Sequence, residues 1–561
     1  MTTQAPIRSY LNQAYLLGLL MVAVGLTLSP FLMGMSQFWL VLVWLVDALT
    51  PPFKGGGGIK TKLSRFFHNK AAVLLVAFYL MHVLGLLWTS DFQYAMKDLR
   101  VKLPILVMPF VLSSMEPLDR KRFDLVMLVY VLSVFIATQF SFFRYIRHDY
   151  EDVREISRFI SHIRFCLNIV FSMAVVGYYI FKSSANRKNQ GHEPSVPTFG
   201  MKVVIDRFLQ WFLLLWFAYA IFIIESLSGY VILMVVAVVS AVYAFLQWKK
   251  SKAWHIGVGA AALSAVVIGV VVIVHFVKPK LKVEPVDFAA LEKTTIQGNP
   301  YWHDTVYNPV EDGKFVGLYY CKKELQEAWP QRSSMPFDGL TTNDESLEAT
   351  LARYLTSKDL RKDAQGVMAL TDEDIHNIEQ GVANYNNWKH PGLHARLSST
   401  LFEYNLYRRF NNPNGGSLSQ RLEYTRASFH IIGQHPWFGV GTGDVPQAFA
   451  QTYDEIHSPL KEEFRFRAHN QYLAIAVAFG LVGLAFFIFV LLYPWLASKR
   501  NHTYLYMVFL CVMLLSMFPE DTLETQAGAT LFAFFVSLLL FARPQAQGPC
   551  NASQSPTSYL K

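Results

Sequence analysis

Charge is scarce in this chain: 16% of its 561 residues are charged, where a soluble domain usually carries about 25%. Cysteine is scarcer still. Its four cysteines stand apart, Cys166 and Cys511 in apolar runs, Cys321 in the large polar segment and Cys550 in the tail. A single cysteine in the polar segment cannot form a disulfide within it, which excludes a secreted disulfide scaffold. No H-E-x-x-H, Walker loop or Cys/His zinc spacing occurs, so no metal and no nucleotide cofactor is expected. What is abundant is apolar surface, with 53% hydrophobic and 15% aromatic residues. It comes in runs of about 17–25 residues, the length that crosses a bilayer. That excludes a soluble enzyme and a disordered regulator, and points to an all-α integral membrane protein.

Twelve spans are predicted, near 12–30, 35–50, 71–88, 103–115, 123–145, 164–182, 207–224, 229–248, 254–277, 468–497, 502–518 and 526–542. The 103–115 run is short and is expected to begin earlier, in the amphipathic stretch Asp91–Lys102. The first run does not read as a cleaved signal, because only Arg8 precedes it and Ser29-Pro30 leads straight into a second apolar run. One set of short loops holds 16 Lys and Arg and the opposite set 6. The positive-inside rule then puts both termini in the cytoplasm and residues 278–467 outside. That segment carries 21 Lys and Arg against 25 Asp and Glu, so the net charge of +9 arises elsewhere. It reads as loop charge facing a lipid bilayer and not as a nucleic-acid surface. The expected organisation is a membrane domain 1–277 with spans one to nine, a large, mostly helical extracytoplasmic domain 278–467, a second membrane part 468–542 with spans ten to twelve, and a cytoplasmic tail 543–561.

Four clusters carry candidate chemistry. The first is His469-Asn470, nine residues, then Gly480 and Gly483. His469 falls where the polar segment enters the tenth span. Free N–H groups at a helix start attract an anion such as a diphosphate, and their field favours a neutral imidazole that can accept a proton. The plain alternative is an interfacial histidine with Asn470 as a cap. The second cluster is Arg421-Leu-Glu-Tyr-Thr-Arg426, followed by His435-Pro-Trp-Phe-Gly-Val-Gly-Thr-Gly-Asp444. Its glycines allow a tight turn beside a ligand but do not make a dinucleotide fingerprint. Solvated arginines on an amphipathic helix are the competing reading.

The third cluster is Arg154, Arg158, His162 and Arg164, of which the first three repeat at four-residue spacing on one helical face. Arginine forks suit phosphate oxygens, though snorkelling to lipid headgroups would also explain them. The fourth is Glu520, Asp521 and Glu524 in the turn before the last span, placed either to orient an acceptor hydroxyl or to cap that helix. Asp372, Glu373, Asp374 and His376 look like metal ligands but are better explained as a helix start.

Taken together, these residues resemble the O-antigen ligase and polymerase superfamily of bacterial inner-membrane glycosyltransferases. The specific part of the resemblance is Arg421 through Gly483, above all His469-Asn-x9-Gly-x-x-Gly483. The resemblance implies an inverting, metal-independent transfer of a glycan from undecaprenyl diphosphate to a sugar hydroxyl of lipid A–core. His469 would be the base or would position the acceptor. Arg421 would hold the diphosphate with Arg426 beside it. One departure is the turn Ser226-Leu227-Ser228-Gly229, where family members often carry an arginine at the position of Leu227; Arg158 or Arg164 is expected to supply that charge. A polymerase or a protein O-glycosylating enzyme on the same donor is the nearest alternative. A transporter or flippase is the alternative from another class, and predicts mid-membrane ionisable residues that the spans largely lack.

Overall fold

The computed structural model describes residues 4–50, 58–147, 153–189, 207–248, 282–498 and 501–544, with isolated positions between 264 and 280. The chain is mostly helical, with almost no sheet. Before the polar segment stand α1 (Gln4–Leu28), α2 (Pro30–Leu49), α3 (Ile59–His68), α4 (Lys70–Leu84), α5 (Phe92–Ser114), α6 (Arg120–Arg147), α7 (His162–Asn189), α8 (Arg207–Ile224) and α9 (Leu227–Trp248). The polar segment contributes α10 (Lys322–Ala328), α11 (Leu347–Ser357), α12 (Ala364–Met368), α13 (Asp372–Glu379), α14 (Tyr385–Lys389), α15 (Leu393–Phe410), α16 (Ser417–Gln434) and α17 (Val445–Glu455). The chain then returns to apolar helices α18 (Gln471–Ala497), α19 (Tyr504–Ser516) and α20 (Gln526–Ser537).

Among the described residues, eight helices are long and apolar enough to cross a membrane: α1, α2, α4 with the turn after it, α6, α7, α8, α9 and α18. Shorter apolar helices follow at Tyr504–Ser516 and Gln526–Ala542. The 103–115 run is the second half of α5, which does begin in the amphipathic stretch before it. The expected span 254–277 falls outside the described residues apart from isolated positions, as does the tail beyond Pro544. Large apolar side chains such as Phe31, Leu87, Phe208 and Leu215 point outward and exposed, the pattern of helices solvated by lipid.

Local chemistry sets the helix ends. Ser29, Asn69, Asp91 and Asn470 each accept a backbone N–H at the start of α2, α4, α5 and α18. This satisfies donors that a helix start leaves orphaned. Thr371 and Asp374 close a reciprocal capping box on α13, and Asp374 also binds Tyr354 and Lys358. That acid group is thus a helix start, as expected. The polar segment has its own apolar core around Leu325, Trp329, Leu351, Tyr354 and Ile378. Beside it lies one small hairpin, Val310–Glu311 with Lys314–Phe315. Asp312 and Gly313 turn it with φ of 49° and 86°, as a two-residue hairpin turn requires.

The glycine-rich stretch behaves differently from its sequence reading. α18 breaks at Gly480 (φ 65°, ψ −168°), a conformation essentially confined to glycine. The turn-rich segment after His435 docks into the break. Val440 N and Gly441 N donate to Val477 O and Ala478 O at 3.0 and 2.9 Å, and Leu481 N donates to Pro436 O at 2.7 Å. A Cβ on Gly439 would lie 2.4 Å from Ala478 C, and one on Gly480 2.3 Å from Trp437 C. The turn expected beside a ligand therefore lies against backbone. The glycines let two chains approach closely enough to satisfy the hydrogen bonds that the broken helix loses. Gly480→Ala is expected to cost at least about 1–3 kcal/mol from conformation alone, with the clash added. A steep loss of folded protein on detergent size-exclusion chromatography would show it, while Gly433→Ala, where a Cβ meets nothing within 4 Å, should be harmless.

Candidate active site

At one end of the helix bundle the starts of α7 and α18, the face of α16 and the turn between α19 and α20 converge. His469 precedes the cap of α18 with φ 43°, an uncommon backbone state for a non-glycine residue and one that clusters at functional sites. Its ring packs against Tyr424 and Phe466, with centroids at 5.5 and 6.2 Å. Its Nδ1 is buried without a hydrogen bond. Glu520 Oε2 and Asp521 Oδ1 face that nitrogen at 3.9 and 3.7 Å. Two carboxylates, besides helix N–H groups, therefore set the field at the imidazole, which the sequence reading did not foresee.

Glu520 is the hub. Its Oε1 accepts from Arg421 Nη2 at 2.9 Å. Burial works to raise its pKa, but His469, Arg421 and Arg164 outweigh that and hold it below the ordinary glutamate value. Arg164 has Glu520 and Asp521 as its acidic neighbours and Arg467 as a repelling one. Its Nε is buried without a hydrogen bond, while Nη1 donates to Ser161 Oγ at 2.9 Å. Burial pushes the Asp521 carboxyl up, only partly offset by Arg467.

The signs of these two shifts differ, and so do their consequences. A depressed Glu520 contributes stability that is present above its unfolded pKa, near 4.5, and is lost as pH falls through the lower folded value. Glu520→Gln is therefore expected to lower the thermal midpoint at pH 7, with the gap to wild type closing below pH 4.5. Asp521→Asn removes a carboxylate whose ionised form the fold disfavours, so any loss of midpoint at pH 7 should be the smaller of the two. Equal losses for the two variants would overturn this assignment.

Arg467 was missed from sequence. Its Nη1 donates to Tyr94 Oη at 2.8 Å, and its guanidinium pairs with Asp521 at 3.2 Å and Glu524 at 3.5 Å. Burial opposes its charge, yet the two acids prevail and push its pKa up. Glu524 in turn binds Lys102 at 2.7 Å and Gln471 Nε2 at 3.1 Å. Lys102 completes the chain to Asp98 at 2.5 Å. Buried charge at this density survives only because each member has a partner. The one local signal for Arg467 is its place two residues before His469. Asp444 was also missed. It accepts from Ser90 N, Ser90 Oγ and Asp91 N between 2.8 and 3.0 Å, tying the glycine-rich turn to the start of α5.

The other expected residues fall as follows. Asn470 is committed as a cap, with Oδ1 accepting from Leu473 N and Nδ2 donating to Phe518 O. Arg426 is exposed and turns to Ile456 O at 3.4 Å and Glu423 at 3.7 Å. Arg158 is exposed, and His162 is half-buried at the first position of α7. The side chain of Arg154 lies outside the described residues. Of the described residues, His469, Glu520 and Asp521 are the group whose ligand atoms lie close enough, within 4.8 Å, to hold a metal ion. Arg421 and Arg467 already pair both carboxylates there, so a cation would compete with two guanidinium groups.

The fold and this cluster define a multi-pass helical membrane protein with a basic and carboxylate-lined site at the end of its bundle. Residues 373–488 match the family model described as O-Antigen ligase, and in this part the chain is similar to the O-antigen ligase superfamily. Members of that family are glycosyltransferase-like enzymes. The matched segment holds Arg421, Arg467, His469 and both halves of the docked helix break. A comparison with curated proteins finds no match.

Proposed function

We propose that this protein is an O-antigen ligase-like glycosyltransferase of the bacterial inner membrane. It moves a glycan from undecaprenyl diphosphate to a hydroxyl of lipid A–core on the periplasmic side. Twelve spans with both termini in the cytoplasm place 278–467 in the periplasm and the His469 cluster at that surface. His469 takes the proton of the acceptor hydroxyl or positions that hydroxyl. The oxygen then attacks the anomeric carbon, the bond to the diphosphate breaks, and the electron pair leaves on the phosphate oxygen with inversion. Arg421 and Arg164 stabilise the charge gathering there.

One arrangement supports this reading: Glu520 lies between Arg421, Arg164 and His469. A carboxylate among guanidinium groups occupies the kind of position that a diphosphate would take. When the donor displaces it from Arg421, its other oxygen is already beside His469 Nδ1, where it can orient the ring and stabilise the imidazolium that forms.

The charge missing at Leu227 is supplied by Arg164, which lies beside Glu520, and not by exposed Arg158. Arg164→Ala is expected to reduce transfer at least tenfold and Arg158→Ala less than twofold; the reverse order would overturn the assignment. The test of the whole reading is transfer in vitro from purified lipid-linked glycan to lipid A–core, with and without chelator. Transfer unaffected by chelator is expected. Loss restored by a divalent cation would reassign His469, Glu520 and Asp521 as metal ligands, and absence of transfer with an active polymer-forming reaction would favour the polymerase.

A further inference from the structure

The polar segment before residue 373 lies outside the matched family domain and supplies most of an apolar core that Ile375 and Ile378 complete, but it takes no part in the His469 cluster. Its surface holds a cleft of about 480 Å3 lined by Asn299, Trp302, Tyr320, Lys322, Lys323 and Glu348. Trp302 is 59% exposed but does not sit on a loose loop. Its backbone exchanges two hydrogen bonds with Tyr320, at 2.8 and 3.0 Å. The two rings meet edge to face at 6.2 Å. The polar groups around the ring are hydrogen-bonded among themselves. Glu348 accepts from Tyr320 Oη and from Lys322 Nζ at 2.9 Å, and Lys323 reaches Asn299 Oδ1 at 3.4 Å. An indole exposed to water with donors and acceptors at its rim costs solvation, and the cleft it lines suits a ligand that is apolar on one face and hydroxylated at the edge.

A pyranose ring has that shape. Its axial C–H bonds form an apolar face that stacks on indole, and its equatorial hydroxyls reach outward to carboxylate, ammonium and amide groups. We propose that the Trp302 cleft is a saccharide-binding subsite that holds part of a glycan chain away from the His469 centre. The glycan-transfer reading supplies only the class of ligand, and binding at the cleft does not require transfer to occur. The glycan could be that of the donor or that of the acceptor, which present the same chemistry to the cleft.

The experiment uses the full chain in detergent. Two soluble probes are prepared from lipopolysaccharide of the producing cells by mild acid: the lipid-free polysaccharide and the free core oligosaccharide. Each is titrated by calorimetry against wild type, Trp302→Ala, Trp302→Phe and Tyr307→Ala, the last a 73% exposed aromatic that does not line the cleft. Wild type is expected to bind one of the probes saturably. Trp302→Ala should weaken that binding about tenfold or more, Trp302→Phe should restore part of it, and Tyr307→Ala should leave it unchanged. The released polysaccharide still carries the core, so saturation by polysaccharide but not by core oligosaccharide assigns the cleft to the donor glycan, and saturation by core oligosaccharide assigns it to the acceptor. No binding of either probe, or equal binding by wild type and Trp302→Ala, overturns the proposal; so does a Trp302→Ala change in oligomeric state without saccharide binding, which would make the face a contact between copies. Saturable binding that depends on Trp302 stands whether or not the protein transfers glycan in vitro, so a failure of the transfer reading leaves this result intact.

Discussion

His469→Ala is expected to lower the rate of glycan transfer by about 10²- to 10⁴-fold, the range that a positioned acid–base group supplies. The fall should appear in kcat with little change in the apparent affinity for the lipid-linked donor, because the anion-binding arginines remain. The ring makes no hydrogen bond through Nδ1 and meets Tyr424 at a tilt and Phe466 edge to face, so its removal should spare the fold. A thermal midpoint close to wild type together with lost turnover is the combined result to look for. Turnover within threefold of wild type would remove the imidazole from the chemistry and leave it as an interfacial residue beside a cap. His469→Gln separates the two roles left open: it can still hydrogen-bond an acceptor hydroxyl but cannot carry its proton away. Substantial retention of rate would make His469 a positioning residue.

Arg421→Ala is expected to cost about 10²- to 10³-fold in kcat/KM, the effect of losing one preorganised stabiliser of developing charge. Two losses combine here. The leaving diphosphate loses a guanidinium, and Glu520, freed from its partner at 2.9 Å, stays buried beside His469 in the absence of donor. Arg421→Lys should recover little, because an ammonium cannot reproduce the planar fork. The double variant Arg421→Ala with Glu520→Gln distinguishes the two contributions. If repulsion by the stranded carboxylate matters, the double variant should be several-fold faster than Arg421→Ala alone. If it is no faster, Glu520 has no part in admitting the donor. Arg426→Ala serves as the control, since its side chain is exposed and turned to Ile456; transfer within twofold of wild type is expected.

The candidate site was legible in part. His469 and Arg421 stood out because they are embedded in a local pattern within a hundred residues, and the structure brings both to Glu520. Arg164 was visible as an arginine at the edge of an apolar run, and lies in the same cluster. Asp374 was legible as part of a helix start because capping needs only three or four residues of context, whereas Asn470, expected to bind substrate beside His469, is taken up as a cap. The glycines illustrate the opposite case. Their spacing announced a close approach but not its partner. Gly439 and Gly480 meet each other's neighbouring backbone across a helix break, and no periodicity in α18 signals that break.

Runs of apolar residues, their lengths and the capping residues at their ends determined the mostly helical membrane class and most helix positions, because burying backbone polar groups in lipid leaves a helix little alternative. Arg467, the facing carboxylates of Glu520 and Asp521, and the Lys102–Glu524 brace were decided only when the helices packed. Lys102 and Glu524 are 422 positions apart, and Ser90 and Asp444 are 354 apart. A charge buried in such a place needs an opposite one, and for Lys102 and Arg467 it comes in part from a distant stretch of chain. That pairing depends on the distance between side chains in space, a quantity that no local spacing of residues encodes.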